Sequence, residues 1–283
     1  MTLCIGWIRS YNRGFEICLA TDSLFTGGQT FCAAPKLFPL KRGDCALACA
    51  GETQYSFPVM EHIVRSIELN PKGYDRACDI TDLKHYIVDV TNKCLFEERD
   101  RQDGSNGPGF RFIIAGYSWK YQKPMFWIVS YQKHDKKMVA DGVNTIKGKP
   151  VAVIGDCVSS VRHKIFERLE NDGVPKNGDF DMQPLEVLLD YINDKTDETR
   201  TIGGYLQMLK IYPFCKIMPV GFRYNKNDDY FITYYGRPLL KYETFPFPIY
   251  DVTSKKMMYM REISSEFVLE HEDTKKLSKF VEE

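Results

Sequence analysis

The 283-residue sequence lacks a surplus of either charge: 38 Lys and Arg balance 38 Asp and Glu. A general grip on nucleic acid draws on excess positive charge, so that class of function has no support. No run approaches the roughly 18 apolar residues of a transmembrane helix. The opening MTLCIGWIRS lacks the basic start and long apolar stretch of a signal peptide. Histidine is scarce, at 62, 85, 134, 163 and 271, and never in HExxH spacing. Neither GxGxxG nor GxxxxGK(S/T) occurs, so nucleotide binding has no support. The nine cysteines, at 4, 18, 32, 45, 49, 78, 94, 157 and 215, form no CxxC pair. An odd count, with several inside apolar runs, fits reduced, buried thiols better than a disulfide framework or zinc site. The expectation is a cytoplasmic protein with no metal or organic cofactor and no nucleic-acid or membrane partner.

What remains is ordinary globular composition, 43% hydrophobic and 27% charged. The length suffices for one large core or two modest ones. Leu3 to Ile8 and Phe15 to Ala20 are apolar runs around a polar turn, which predicts a hairpin. Thr30 to Ala34, Lys36 to Leu40 and Cys45 to Ala50 read as further strands, the last small and apolar on both faces. Helical spacing follows over Tyr55 to Leu69 and again after Asp79 or Thr81. Residues 100–109 are a polar loop. Strands return at Arg111 to Gly116, Pro124 to Tyr131 and Val151 to Ile154. Helices are expected over 158–169 and 184–194, then strands over 205–211, 214–222 and 230–235. Strands alternating with pairs of helices predict an α+β fold of two stacked sheets with helices outside. No linker divides residues 2–236. Residues 237–283 differ, with Phe245-Pro-Phe-Pro248 and a charged, helix-compatible end from Arg261, and read as a C-terminal extension of unassigned role.

Chemistry starts at Thr2. A small second residue favours removal of Met1, which leaves a threonine carrying both a hydroxyl and a free α-amine. That amine, with an unperturbed pKa near 7.7–8.0, can serve as base for its own hydroxyl. Taken singly this is an unremarkable chain start. Its context is Asp22-Ser23 at a strand end, Thr26-Gly27 in a turn, Lys36 at a strand start and Gly51 between a buried strand and a helix.

With these residues the chain resembles the proteasome β-subunit family of N-terminal nucleophile hydrolases, including its bacterial relatives. The stretches TLCIGW, ICLATDSLFTGG, PKLFPL and CALACAGET carry the resemblance, continued by FRFIIAGYS, PMFWIVSY, VAVIGD and TIGGYLQMLKI over residues 2–236. The resemblance implies a four-layer αββα sandwich of two stacked antiparallel sheets. It implies that Thr2 is the nucleophile, that Lys36 is the buried cation beside it and that Asp22 pairs with that cation. It implies that the Gly51 N–H faces the oxyanion, that Thr26 and Gly27 bind an extended peptide and that Cys49 lies at a pocket base. It also implies a peptide or protein substrate, a homo-oligomer and room for an ATP-dependent unfoldase. Where the family usually has Gly-Ser-Gly this chain has Gly155-Asp156-Cys157, which makes Asp156, with Ser23, a candidate support. Plainer readings stand beside these: a turn cap for Asp22-Ser23, a surface Lys36, a hinge at Gly51 and a core Cys49. The rival functions are a non-catalytic scaffold or peptide-binding subunit and a hydrolase of small non-peptide amides.

Overall fold

The computed structural model describes residues 2–11, 14–26, 29–98, 107–194, 196, 199–226 and 229–260. The chain divides into two compact units. One is Met1–Met218 with Tyr235–Arg237, and the other is Pro219–Tyr234 with Pro238–Glu283.

The first unit opens with the expected hairpin, β1 (Leu3–Tyr11) and β2 (Gly14–Thr21), in which Cys4 lies opposite Thr21. Next come β3 (Leu37–Pro39), β4 (Cys45–Gly51), α1 (Thr53–Leu69), the single turn α2 (Pro71–Tyr74) and α3 (Ile80–Phe96). The strands β5 (Phe110–Ser118), β6 (Lys123–Gln132), β7 (Lys137–Gly142), β8 (Thr145–Ile146) and β9 (Lys149–Gly155) follow. The helices α4 (Val158–Asn171) and α5 (Gln183–Asn193) then lead to β10 (Gln207–Tyr212). One sheet runs β10-β2-β1-β9-β8 and the other β3-β4-β5-β6-β7.

Alternation along β5 shows how the two sheets are used. Phe110, Phe112 and Ile114 join Val59, Ile63, Leu83 and Ile87 of α1 and α3 in one apolar cluster. Ile113 and Ala115, on the opposite face, join Cys4, Ile17, Leu19 and Ile154 from the other sheet. In that second cluster β4 presents only small side chains, Ala46, Ala48 and Ala50, alongside Ala115 and Ala152. Period-two alternation thus separates a helix-facing layer from a layer between the sheets in which the β4 side chains are all alanine. Gly6 belongs to the same economy of space, since a Cβ there would lie 2.9 Å from Leu19 and 3.0 Å from Phe126.

The chain passes into the second unit along β11 (Lys216–Lys226), followed by β12 (Asp229–Tyr234), β13 (Arg237–Pro238), β14 (Ile249–Asp251) and β15 (Lys256–Met258). The strand β12 is antiparallel to β11, β14 is parallel to it, and β15 is antiparallel to β14. Ile232, Phe245 and Ile249 form the core of this unit.

The expected α+β four-layer αββα sandwich of antiparallel sheets needs correcting. Among the described residues strand outweighs helix, 39% against 27%, and of the five helices there one has only four residues. The pairing of β14 with β11 is also parallel. The difference has a physical origin: β7, β8 and β13 to β15 span only two to six residues each, too few to carry an alternation that can be read as a strand. Residues 30–34 are not a strand either. Their backbone is held by side chains: Ser23 Oγ donates to Cys32 O at 2.5 Å and Gln207 Nε2 to Ala34 O at 2.7 Å. One bridge, Phe25 to Phe31, closes that turn. Most of the expected 100–109 loop, residues 100–106, and the helix-compatible end from Arg261 lie outside the described residues.

Candidate active site

Four separated segments bring charged and hydroxyl groups together at the start of β1. Thr2 is 2% exposed, and Lys36 and Asp22 are fully buried. Lys36 Nζ donates to Thr2 Oγ1 at 2.5 Å, to Asp22 Oδ2 at 3.0 Å and to Leu24 O at 2.7 Å. Three ammonium protons meet three acceptors, so the cation is fully satisfied without water. The ring of Phe25 lies 5.5 Å from the same nitrogen and adds a cation–π contact.

Asp22 is held as firmly. Its Oδ1 accepts from Leu3 N at 3.1 Å. Its Oδ2 accepts from Leu24 N at 3.1 Å and Gly203 N at 3.2 Å, besides Lys36. Buried charges persist only when paired and hydrogen-bonded in this way. The Thr2 hydroxyl, accepting from Lys36, keeps its own proton to give away, and the adjacent ammonium stabilises the oxyanion left behind.

Backbone clamps fix the strand end. Leu3 lies opposite Gly155, and Asp156 N donates to Thr2 O at 2.9 Å. Gly155 has φ +105°, and a Cβ on it would sit 1.7 Å from Thr2 O, so only glycine fits. Gly51, at φ +111°, pairs with Phe110 and is crowded by Gly109 O, 2.2 Å from a built Cβ. Both glycines border a cavity of about 430 Å³ that also touches Ala50, Phe110 and Arg111.

The sequence-derived candidates therefore fall into groups. Thr2, Asp22 and Lys36 are in direct contact, and Gly51 borders the adjoining cavity. The Asp156 carboxylate bonds the Thr201 hydroxyl, while its backbone holds Thr2. Ser23 staples the turn: its N donates to Gly203 O at 3.1 Å, and its Oγ accepts from Tyr205 N at 2.7 Å. Cys49 is 2% exposed and faces the helix-side cluster with Val59 and Met60. Thr26 is half-buried, and Gly27 lies outside the described residues.

Burial pushes the Cys49 thiol up to about 12 and drives that of Cys4 upward as well. Neither supplies a thiolate near neutral pH. Among the described residues no group of three or more His, Cys, Asp or Glu could hold a metal ion.

Two participants are absent from the sequence reading. Gln207 is 1% exposed. Its Oε1 accepts from Lys36 N at 3.1 Å, and its Nε2 reaches Ala34 O and Asp22 O. Thr201 engages Asp156. Both lie far along the chain from the residues they touch, and a single glutamine or threonine carries no spacing signal. The one hint was the Gly203-Gly204 turn beside them, where Gly204 at φ +73° approaches Ser23 and Cys32 O.

No family model matches this sequence, and no curated protein matches it. Among solved structures, the chain is similar to a subunit from the helical assembly of the Anbu complex of Pseudomonas aeruginosa. The identity is 17%, with 80% of this chain and 88% of that chain covered and a TM-score of 0.56. The resemblance to the proteasome β-subunit family read from the sequence is thereby corrected, because no family model upholds it. What the comparison supports is a likeness of fold to an assembly-forming protein. Residue roles must come from the geometry of this chain.

Proposed function

We propose that this protein is a threonine hydrolase that cleaves peptide bonds through Thr2 once Met1 has been removed. The observation that carries the reading is the 2.5 Å contact from Lys36 Nζ to Thr2 Oγ1 inside a buried, fully hydrogen-bonded triad with Asp22. A threonine at a surface turn has no use for a buried ammonium, whereas a nucleophile gains from one. In this reading Thr2 Oγ1 attacks the scissile carbonyl carbon and the α-amine takes the hydroxyl proton. The Gly51 N–H meets the developing oxyanion, a contribution typically worth about 10²–10³ in rate. The proton passes to the leaving amine as the C–N bond breaks. Water then hydrolyses the ester on Thr2 and restores the hydroxyl. Lys36 and Asp22 set the field, and Gly155 with Asp156 N holds the strand end.

The test is intact mass before and after a β-lactone or epoxyketone probe. Loss of the Met1 mass and a single adduct on Thr2 are expected. Retention of Met1, or a free Thr2 that stays unmodified while a control enzyme reacts, overturns the reading. The second reading, a non-catalytic peptide-binding subunit, draws on the 2% exposure of Thr2, and the unreactive outcome selects it. We also propose a homo-oligomer, in keeping with the helical assembly of the similar structure. Light scattering on the purified chain reads this directly. No helix among the described residues is long and apolar enough to cross a membrane.

A further inference from the structure

Gln207 opens β10 opposite Thr21 of β2 and is 1% exposed. Its hydrogen bonds form one pattern. Oε1 accepts from Lys36 N at 3.1 Å, while Nε2 donates to Ala34 O at 2.7 Å and to Asp22 O at 3.3 Å. The first two bonds straddle Pro35, as one residue of a parallel strand straddles its neighbour. The side-chain amide acts here as a peptide group.

The backbone of Lys36 depends on that substitute. β3 begins at Leu37, so Lys36 precedes the ladder that β3 makes with β4. Pro35 offers no N–H, and Lys36 N is a buried donor whose acceptor is the glutamine. Lys36 O accepts from Cys49 N at 3.1 Å. With both backbone groups taken, the lysine starts from a fixed origin. From there Nζ meets Thr2 Oγ1, Asp22 Oδ2 and Leu24 O together. The second N–H of the amide holds the Asp22 carbonyl. One residue of β10 therefore ties together the main chains of both charged groups beside Thr2. The amide is itself confined, since a Cβ built on Gly236 would lie 3.2 Å from Nε2.

Resting on the threonine-hydrolase reading, we infer that Gln207 is a positioning residue for this site. It acts through Lys36 and Asp22, whose charges must meet the threonine oxygen in one geometry. A packing role alone predicts lost stability. A positioning role predicts slower attack by protein that is still folded, because a misplacement of roughly 1 Å can cost about 10² in rate.

The experiment labels the full-length protein with an uncharged β-lactone over a range of concentrations and follows the Thr2 adduct by intact mass. The concentration dependence separates the maximal labelling rate from the half-saturating concentration, and each protein is assayed well below its own melting midpoint. Gln207→Met keeps the length of the side chain and removes its hydrogen bonds. The maximal rate should fall about tenfold or more, with the half-saturating concentration within about twofold. Gln207→Glu keeps the acceptor for Lys36 N and removes the donors, so its rate should fall about threefold. This variant decides the matter if the methionine variant does not fold. Thr91→Val is the matched control: Thr91 is buried in α3, and its Oγ1 donates to Ile87 O at 2.8 Å. It should label like the unaltered protein. A maximal rate within about twofold of the unaltered protein in every Gln207 variant that folds overturns the positioning role. Equal slowing in Thr91→Val overturns it as well. An unaltered protein that takes no label brings down the hydrolase reading and this role with it, whereas a labelled one isolates the fate of Gln207.

Discussion

Thr2, Lys36 and Gly155 make separable demands on the candidate site. Thr2→Ala removes one of the three acceptors of the buried Lys36 ammonium, so probe labelling should vanish and stability should fall by about 1–3 kcal/mol. Thr2→Ser should keep labelling, because the oxygen remains. Lys36→Met is different, since it leaves the Asp22 carboxylate buried without its cation. The three backbone donors to Asp22 survive, so a loss near the lower end of the roughly 3–5 kcal/mol typical of broken buried pairs is expected by denaturant titration. Labelling should fall in any fraction that remains folded. Gly155→Ala forces a methyl onto Thr2 O at φ +105°. It should destabilise by more than about 2 kcal/mol and abolish labelling. Gly142→Ala, where nothing lies within 4 Å, is the matched control and should change neither.

The third helix shows how an element is anchored by one carboxylate. Asp79 Oδ1 accepts from Thr81 N at 3.0 Å and caps α3, while Ser118 Oγ and Lys120 N reach the same group across from β5. Burial pushes the Asp79 carboxyl up, but the hydrogen bonds from Thr81, Lys120 and Ser118 outweigh it and leave it below the usual carboxylate range. A carboxyl lowered in the folded state contributes stability above its unfolded value, and loses it as pH falls through the folded value. Asp79→Ala should therefore cost about 1–2 kcal/mol at neutral pH. In paired urea titrations the gap between the two proteins should close in acid. The cap was legible in advance as Asp79 or Thr81, because a capping residue sits beside the periodicity it caps, and the structure selects Asp79. The same holds for β1, β2, β4 and the four long helices, whose apolar spacing is local. Lys36 and Asp22 came forward only through the family resemblance, because singly they read as a surface lysine and a turn cap. Gln207 and Thr201 did not come forward, because their partners are over forty residues away in sequence and hydrogen bonding at that range leaves no periodic trace. Residues 30–34 misled for the opposite reason. Their composition suits a strand, yet Ser23 and Gln207 had already taken up their backbone groups.

Across the first unit, Ala46, Ala48, Ala50, Ala115 and Ala152 share the layer between the sheet that follows Thr2 and the sheet whose β4 ends in Gly51. Ala48→Val should cost about 1–3 kcal/mol, the usual penalty for overpacking. If the sheets part to admit it, labelling of Thr2 should slow even at temperatures where the variant is fully folded, which stopped labelling assays can resolve. Ala48→Ser, of similar width, should leave labelling nearly unchanged though its hydroxyl is buried. The alanine layer thus behaves as a gauge block. It fixes a clearance, and through it the relative height of two surfaces that must meet a substrate together. A lineage of such chains could change the polarity of these positions more freely than their bulk, and drift in the gap would blunt the site before any residue within it was replaced.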